Sequence, residues 1–232
     1  MKVPWIPKER IEHSALGIIA DYQDMIGHTI RPPIPVEDII ERYLGVNLSF
    51  EDLEEKLGME DVLGATFVKL RLICINEKLL ENKSEGRLIF TCAHEVGHWV
   101  LHRQFINVAS GSEPQKNAIV CRIKNSRHPI EWQADYFAAC LLMPEKETIN
   151  AFRKVCGTET LVVNNVKSSF GSTSLYIDPC IENWPYIAAM VCEAGGFKVS
   201  KQAMIIRLMG LGLLVNLTKE RIGWSKSYCI AR

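Results

Sequence analysis

The chain has 232 residues, 47% of them hydrophobic and 23% charged, enough for one substantial core and a small second unit. Lys plus Arg number 27 and Asp plus Glu 27, so no global field recruits nucleic acid or a membrane surface. A basic-then-apolar leader is absent from the N-terminus and no apolar run approaches the roughly 18 residues of a bilayer span, so a cytoplasmic protein without a membrane partner is expected.

Taken in chain order, residues 8–26 predict a helix with Ile11, Ala15, Ile18, Ile19 and Tyr22 on one side, ending near Gly27. Pro35 opens a second helix that stops at Gly45. Residues 46–50, 65–69 and 72–75 are short and β-rich, predicting a small sheet. The stretch 65–69 is the candidate edge strand, with Thr66 and Val68 contacting an extended peptide by strand addition.

From Leu88 to Leu101 a nearly all-apolar helix carries one polar stripe, His94-Glu95-Val96-Gly97-His98. About 3.6 residues per turn puts positions i and i+4 on one face, so His94 and His98 can share one metal ion with Glu95 beside them. A carboxylate there can take a proton from water that a bound metal has made acidic. Buried without partners, each of these groups would cost about 1–3 kcal/mol, which a cation offsets. Gly97 in mid-helix implies that something packs closely against it. His102 lies one turn further, about 12 Å from His94 along a straight axis at 1.5 Å per residue, so it is expected to support the site or pack, not to bind the same ion.

Residues 104–128, polar and partly basic, read as a loop, either a lid or an ordinary surface excursion. Pro129 to Met143 reads as a helix with proline in its first turn and Pro144 stopping it, its apolar stripe being Ala134, Phe137, Ala138 and Leu141. Glu131 and Asp135 share a face of that helix. Glu131 is assigned to the metal as third ligand, and Asp135 to the free N–H of a ligand imidazole. His128, Tyr136 and Tyr176 are candidates for steadying the oxyanion, with nothing to choose among them.

Another helix follows Pro144, and a Ser-, Gly- and Thr-rich stretch at 167–178 marks a boundary between a domain at 1–170 and a helical segment at 171–232. In the latter, a helix, a glycine turn, a Ser200 cap and a second helix resemble a helix-turn-helix unit. From Trp184 on, seven basic residues, Arg207 among them, face two acidic ones, compatible with DNA. The second helix offers few base-reading side chains, so packing or substrate docking is the favoured role. The eight cysteines include no C-x-x-C pair and fall largely in apolar stretches, as reduced core residues do.

The run Arg87 to His102 and the run Glu131 to Pro144 resemble the two signatures of the ImmA/IrrE family of bacterial and phage metallopeptidases. Pro35-Val36-Glu37-Asp38-Ile39-Ile40, Leu44-Gly45-Val46 and Ile75-Asn76 add to the likeness, which spans about residues 30–145. Where that family's second motif commonly carries a further glutamate, this chain has Gln133. The resemblance implies an α+β fold, a mostly helical zincin-like core with a small β-sheet. It also implies Zn2+, or Mn2+ or another divalent ion in its place, and a protein substrate, a helix-turn-helix repressor of the XRE type whose cleavage induces a mobile element or stress response. A rival expectation is a regulatory binding protein acting on a repressor or DNA, its zinc site non-catalytic; the base beside the ligand pair speaks against it, since a structural zinc closes four positions with Cys or His.

Overall fold

The computed structural model describes residues 3–81, 85–105, 118–122, 128–163 and 181–217. It is mostly helical with a small mixed sheet, an α+β fold. Helix α1, Lys8–Ile26, buries Ile11, Ala15, Ile18 and Tyr22, the stripe expected from the sequence, and ends at Gly27, whose φ of 76° is the left-handed turn that glycine adopts without strain. A single turn, α2 (Val36–Asp38), widens into a π-helical segment Ile39–Tyr43 before Gly45.

The sheet is built from β1 (Asn47–Glu51), β2 (Val62–Phe67), β3 (Leu72–Asn76) and β4 (Ala118–Arg122), in the order β1-β3-β2-β4. β1 runs parallel to β3, while β2 is antiparallel to both β3 and β4. This corrects two expectations. Strand β2 is interior, flanked on both sides, so Thr66 does not lie on an open edge, and Val68 falls in the turn that follows the strand. The region 104–128 is not loop throughout, because 118–122 forms the strand that takes the edge beside β2. The rest of 106–127 lies outside the described residues.

Short helices α3 (Leu53–Leu57) and α4 (Lys78–Glu81) frame the sheet, and α5, Glu85–Gly97, runs on without a break into a π-helical turn, His98–His102. Pro129 opens α6, Pro129–Leu142, which is buried along nearly its whole length, as its apolar composition demands. Gly97 shows why the two helices come so close. A Cβ there would stand 3.1 Å from both Cα and O of Ala134 on α6, tighter than side chains normally pack on backbone, so glycine lets the helices cross this closely without either one shifting.

After Pro144, α7 (Glu145–Cys156) leads to β5 (Leu161–Val163). Helices α8 (Trp184–Gly195) and α9 (Lys201–Gly210) follow, the latter capped by the Ser200 hydroxyl accepting from the Ala203 N–H, and then β6 (Leu214–Asn216), which pairs parallel to β5. The expected boundary at 167–178 lies outside the described residues. On either side of it the packing is continuous: Trp184, Ile187, Val191, Met204 and Leu208 share one buried cluster with Ile11, Val96 and Phe137. Lys198 pairs with Glu85 at 2.6 Å, docking the α8–α9 turn on the start of α5. No helix among the described residues is long and apolar enough to cross a membrane, and the cysteines described, Cys74, Cys92, Cys121, Cys140, Cys156 and Cys192, are all free.

Candidate metal centre

The π-helical turn after Gly97 stacks His94, His98 and His102 on one buried face of the helix. Facing them from α6 are Glu131, Gln133 and Asp135. Their hydrogen bonds determine where each imidazole carries its proton. The Asp135 carboxylate accepts from His94 Nδ1 at 2.8 Å, so in the neutral imidazole that binds a metal it is His94 Nε2 that presents the lone pair.

His98 is fixed by a longer chain. The Pro4 carbonyl can only accept, so the Gln133 Nε2 amide donates to it, at 3.2 Å. Gln133 Oε1 therefore accepts from His102 Nε2 at 3.1 Å. Burial holds His102 neutral, its pKa lowered to about 3, so its Nδ1 must accept from His98 Nδ1 at 2.9 Å. His98 Nε2 is thereby left bare as well.

Two bare Nε2 atoms then stand 2.9 Å apart, His94 against His98, with Glu131 oxygens 3.3 Å from the first and 3.5 Å from the second. Electron-rich atoms so crowded and so buried repel one another unless a positive charge lies among them. Their ligand atoms all fall within 4.8 Å of one another. Two imidazoles and a carboxylate, each held by a partner on its far side or by burial, are a donor set that a divalent cation such as zinc fits. The electrostatics agree: burial would raise the Glu131 pKa, yet the facing imidazoles hold it well below the carboxylate range. Burial would lower the His94 pKa, but Cys121, Asp135 and Glu131 around it raise it well above its ordinary value, so these surroundings favour positive charge at this nitrogen, a proton on Nε2 or a cation in its place.

Glu95 is fully buried beside this cluster. Its Oε2 accepts from the Thr66 hydroxyl at 2.7 Å, while Oε1 has no partner among the described residues. Burial raises its pKa, moving a carboxylate towards the range useful to a base near neutral pH. Thr66, expected on a peptide-binding edge, thus turns inward and aims the Glu95 carboxylate. Of the oxyanion candidates, His128 is exposed at the start of α6. Tyr136 stacks on Trp132 with the Lys8 ammonium over its ring, and Tyr176 lies outside the described residues.

The structure adds two residues that no sequence signal marked. Gly64 of β2 lies directly against the Glu95 carboxylate. Cys121 of β4 is paired across the strands with Gly64, and its sulfur, His94 and Glu95 form a second group with ligand atoms within 4.8 Å of one another.

Arg207 corrects another expectation. Counted among basic residues compatible with DNA, it is buried, donating to Met143 O at 3.0 Å and paired with Glu12 of α1. Lys219, Arg221, Lys226 and Arg232 lie outside the described residues.

The family model of the IrrE N-terminal-like domain, peptidase family M78, matches residues 41–175, more than half of the chain and a span that contains every side chain from Gly64 to Asp135 in this cluster. A search of curated proteins finds no match.

Proposed function

The chain belongs to the IrrE N-terminal-like peptidase family, and on that premise we propose that it is a zinc-dependent endopeptidase in which His94, His98 and Glu131 hold the metal and Glu95 is the base. The observation that carries this reading is the pair of bare imidazole nitrogens at 2.9 Å, closed in by Glu131 and flanked by the unpartnered Glu95 Oε1.

A zinc ion held there supplies Lewis acidity, which makes water nucleophilic at neutral pH and polarises the scissile carbonyl. Glu95 Oε1 takes the proton of the attacking water and returns it to the leaving amine nitrogen. Thr66 keeps the other oxygen engaged, so Oε1 is the one presented to substrate. Asp135 and His102 hold the Nδ1 side of His94 and His98, so each ring turns its Nε2 to the centre. With β2 enclosed, the edge strands are β1 and β4, and β4, whose Cys121 lies near Glu95, is the one we assign to an extended peptide.

The substrate we infer is a helix-turn-helix repressor of the XRE type, on the strength of the family resemblance, with cleavage inducing a mobile element or stress response in the cytoplasm. The test compares new protein N-termini in cells making wild type or Glu95→Gln, with and without DNA-damaging or metal stress. A cut in one such repressor, made by wild type alone, is the expected result. Identical N-termini under every stress, with zinc bound to both proteins, would refute it.

A further inference from the structure

We propose that residues 3–7 are a strap whose docking on α6 is coupled to metal binding, so that Trp5 is a positioning residue acting on the centre from the protein surface. The inference rests on the zinc reading above and concerns the far end of the hydrogen-bond chain that holds His98.

The sequence prepares the strap for docking. Pro4 and Pro7 fix their own φ, and each restricts the residue before it, Val3 and Ile6, to extended backbone. Pro7 has φ −58° and ψ 148°, the polyproline conformation. A segment ordered in advance loses little freedom when it docks. It meets the fold at three places. The Pro4 carbonyl accepts from the Gln133 amide at 3.2 Å, Trp5 lies on Trp132 with 4.7 Å between centroids and 16° between planes, and Ile6 packs against the main core. Beyond Trp132 the ladder of rings continues to Tyr136, 5.5 Å away and inclined by 15°, with the Lys8 ammonium 5.6 Å from the Tyr136 ring.

The two ends of this arrangement differ in access. Gln133 and His102 are fully buried, and Gln133 Oε1 holds His102, which in turn holds His98. Trp5 is 62% exposed although stacked. Lifting Trp5 from Trp132 carries the Pro4 carbonyl away and leaves the buried Gln133 amide without that acceptor, a loss the amide relieves by turning. His102 then loses its partner and His98 the contact that aims it. By linkage the coupling is reciprocal, so a metal that needs His98 aimed also holds the strap down. The exposed ring is thus a handle on the metal centre.

Chelator competition for Zn2+ on full-length wild type, Trp5→Ala, Trp5→Phe, Gln133→Leu and the Trp5→Ala, Gln133→Leu double variant tests this. Trp5→Ala is expected to bind Zn2+ about 3–10-fold more weakly, the worth of one net hydrogen bond. Trp5→Phe keeps a stacked ring and should stay within about twofold of wild type. Because the strap acts through Gln133, the double variant should bind no more weakly than Gln133→Leu alone. Circular dichroism reads the other half of the linkage: the stacked indole pair gives an exciton couplet, and excess Zn2+ should raise the temperature at which it is lost by more in wild type than in Gln133→Leu. Trp5→Ala with wild-type affinity, or losses that add in the double variant, would overturn the coupling and leave the zinc reading intact. Wild type that binds no Zn2+ would overturn both. The Trp5 variants change an exposed ring, so they decide on their own if Gln133→Leu fails to fold.

Discussion

Gly64 and Glu95 are in such close contact that a Cβ on residue 64 would fall 2.5 Å from Glu95 Oε1 and 2.9 Å from its Cδ and Cγ. Glycine at 64 is thus a condition for the position of the base, since the Thr66 hydroxyl fixes the carboxylate from one side and β2 backbone fills the space beneath. Gly64→Ala forces the carboxylate to move or the strand to bend. The expected loss in kcat is about 10²-fold from displacement of the base, with about 1–3 kcal/mol of stability lost to overpacking. Metal affinity should stay near wild type, because Glu95 is not in the donor set. Kinetics and chelator competition on one preparation check this, and unchanged turnover would show that the base does not depend on its contact with β2.

His98 depends on the N-terminal segment through His102, Gln133 and Pro4. Trp5 stacks on Trp132 at 4.7 Å between ring centroids and helps hold that segment on α6. Gln133→Leu removes both ends of the relay and leaves His98 free to flip or change tautomer. Metal affinity is expected to fall by about 10–100-fold. Gln133→Glu keeps an acceptor for His102 and loses the donor to Pro4, so its affinity should lie between the two. Chelator titration orders the three proteins; equal affinities would mean that the relay does not orient the ligand.

What the sequence reveals of this molecule follows the range of each interaction. The helical spacing of Ile11, Ala15, Ile18 and Tyr22, the Pro129 start of α6 and the i, i+4 pairs on two helices are local, so they are legible before any fold exists. Strand β4 is not local. Ala118–Arg122 is short and lies in polar sequence, and it becomes a strand by pairing with residues more than fifty positions earlier. That pairing removed β2 from the edge, turned Thr66 from a peptide contact into a partner of Glu95, and brought Cys121 to His94. The inward turn of Arg207 has the same origin: a basic residue on a short helix reads as surface until its partner on α1 is known.

Buried thiols set the alkaline limit of the fold. Burial pushes Cys92 and Cys140 up to about 12 from an ordinary 9.0, and both side chains are fully enclosed. Below pH 9 each is protonated in folded and unfolded chains alike. Between pH 9 and pH 12 the unfolded chain loses these protons and the fold keeps them, so stability falls as pH rises, by at most about 1.4 kcal/mol per pH unit for each thiol. Urea midpoints at pH 8, 9 and 10 should decline, and Cys92→Ala with Cys140→Ala should flatten the decline. An equally steep slope in the double variant would place the alkaline transition elsewhere.

Arg207 joins three parts of the chain, since its guanidinium reaches Met143 O at the end of α6, Cys140 at 3.4 Å and Glu12 on α1 from its own place on α9. Removing one partner of a buried pair leaves an uncompensated charge, so Arg207→Met should cost about 3–5 kcal/mol. For a chain of this size that lowers Tm by roughly 2–4 °C per kcal/mol. Glu12→Gln in the same chain removes the stranded carboxylate and should recover part of the loss, because an apolar or neutral pair can replace a buried ion pair at little net cost. A surface arginine kept for nucleic acid behaves otherwise: its removal leaves stability within about 0.5 kcal/mol and reduces the salt dependence of DNA binding. Thermal melts of the single and double variants separate the two roles, and a Tm of Arg207→Met equal to wild type would return this residue to the surface.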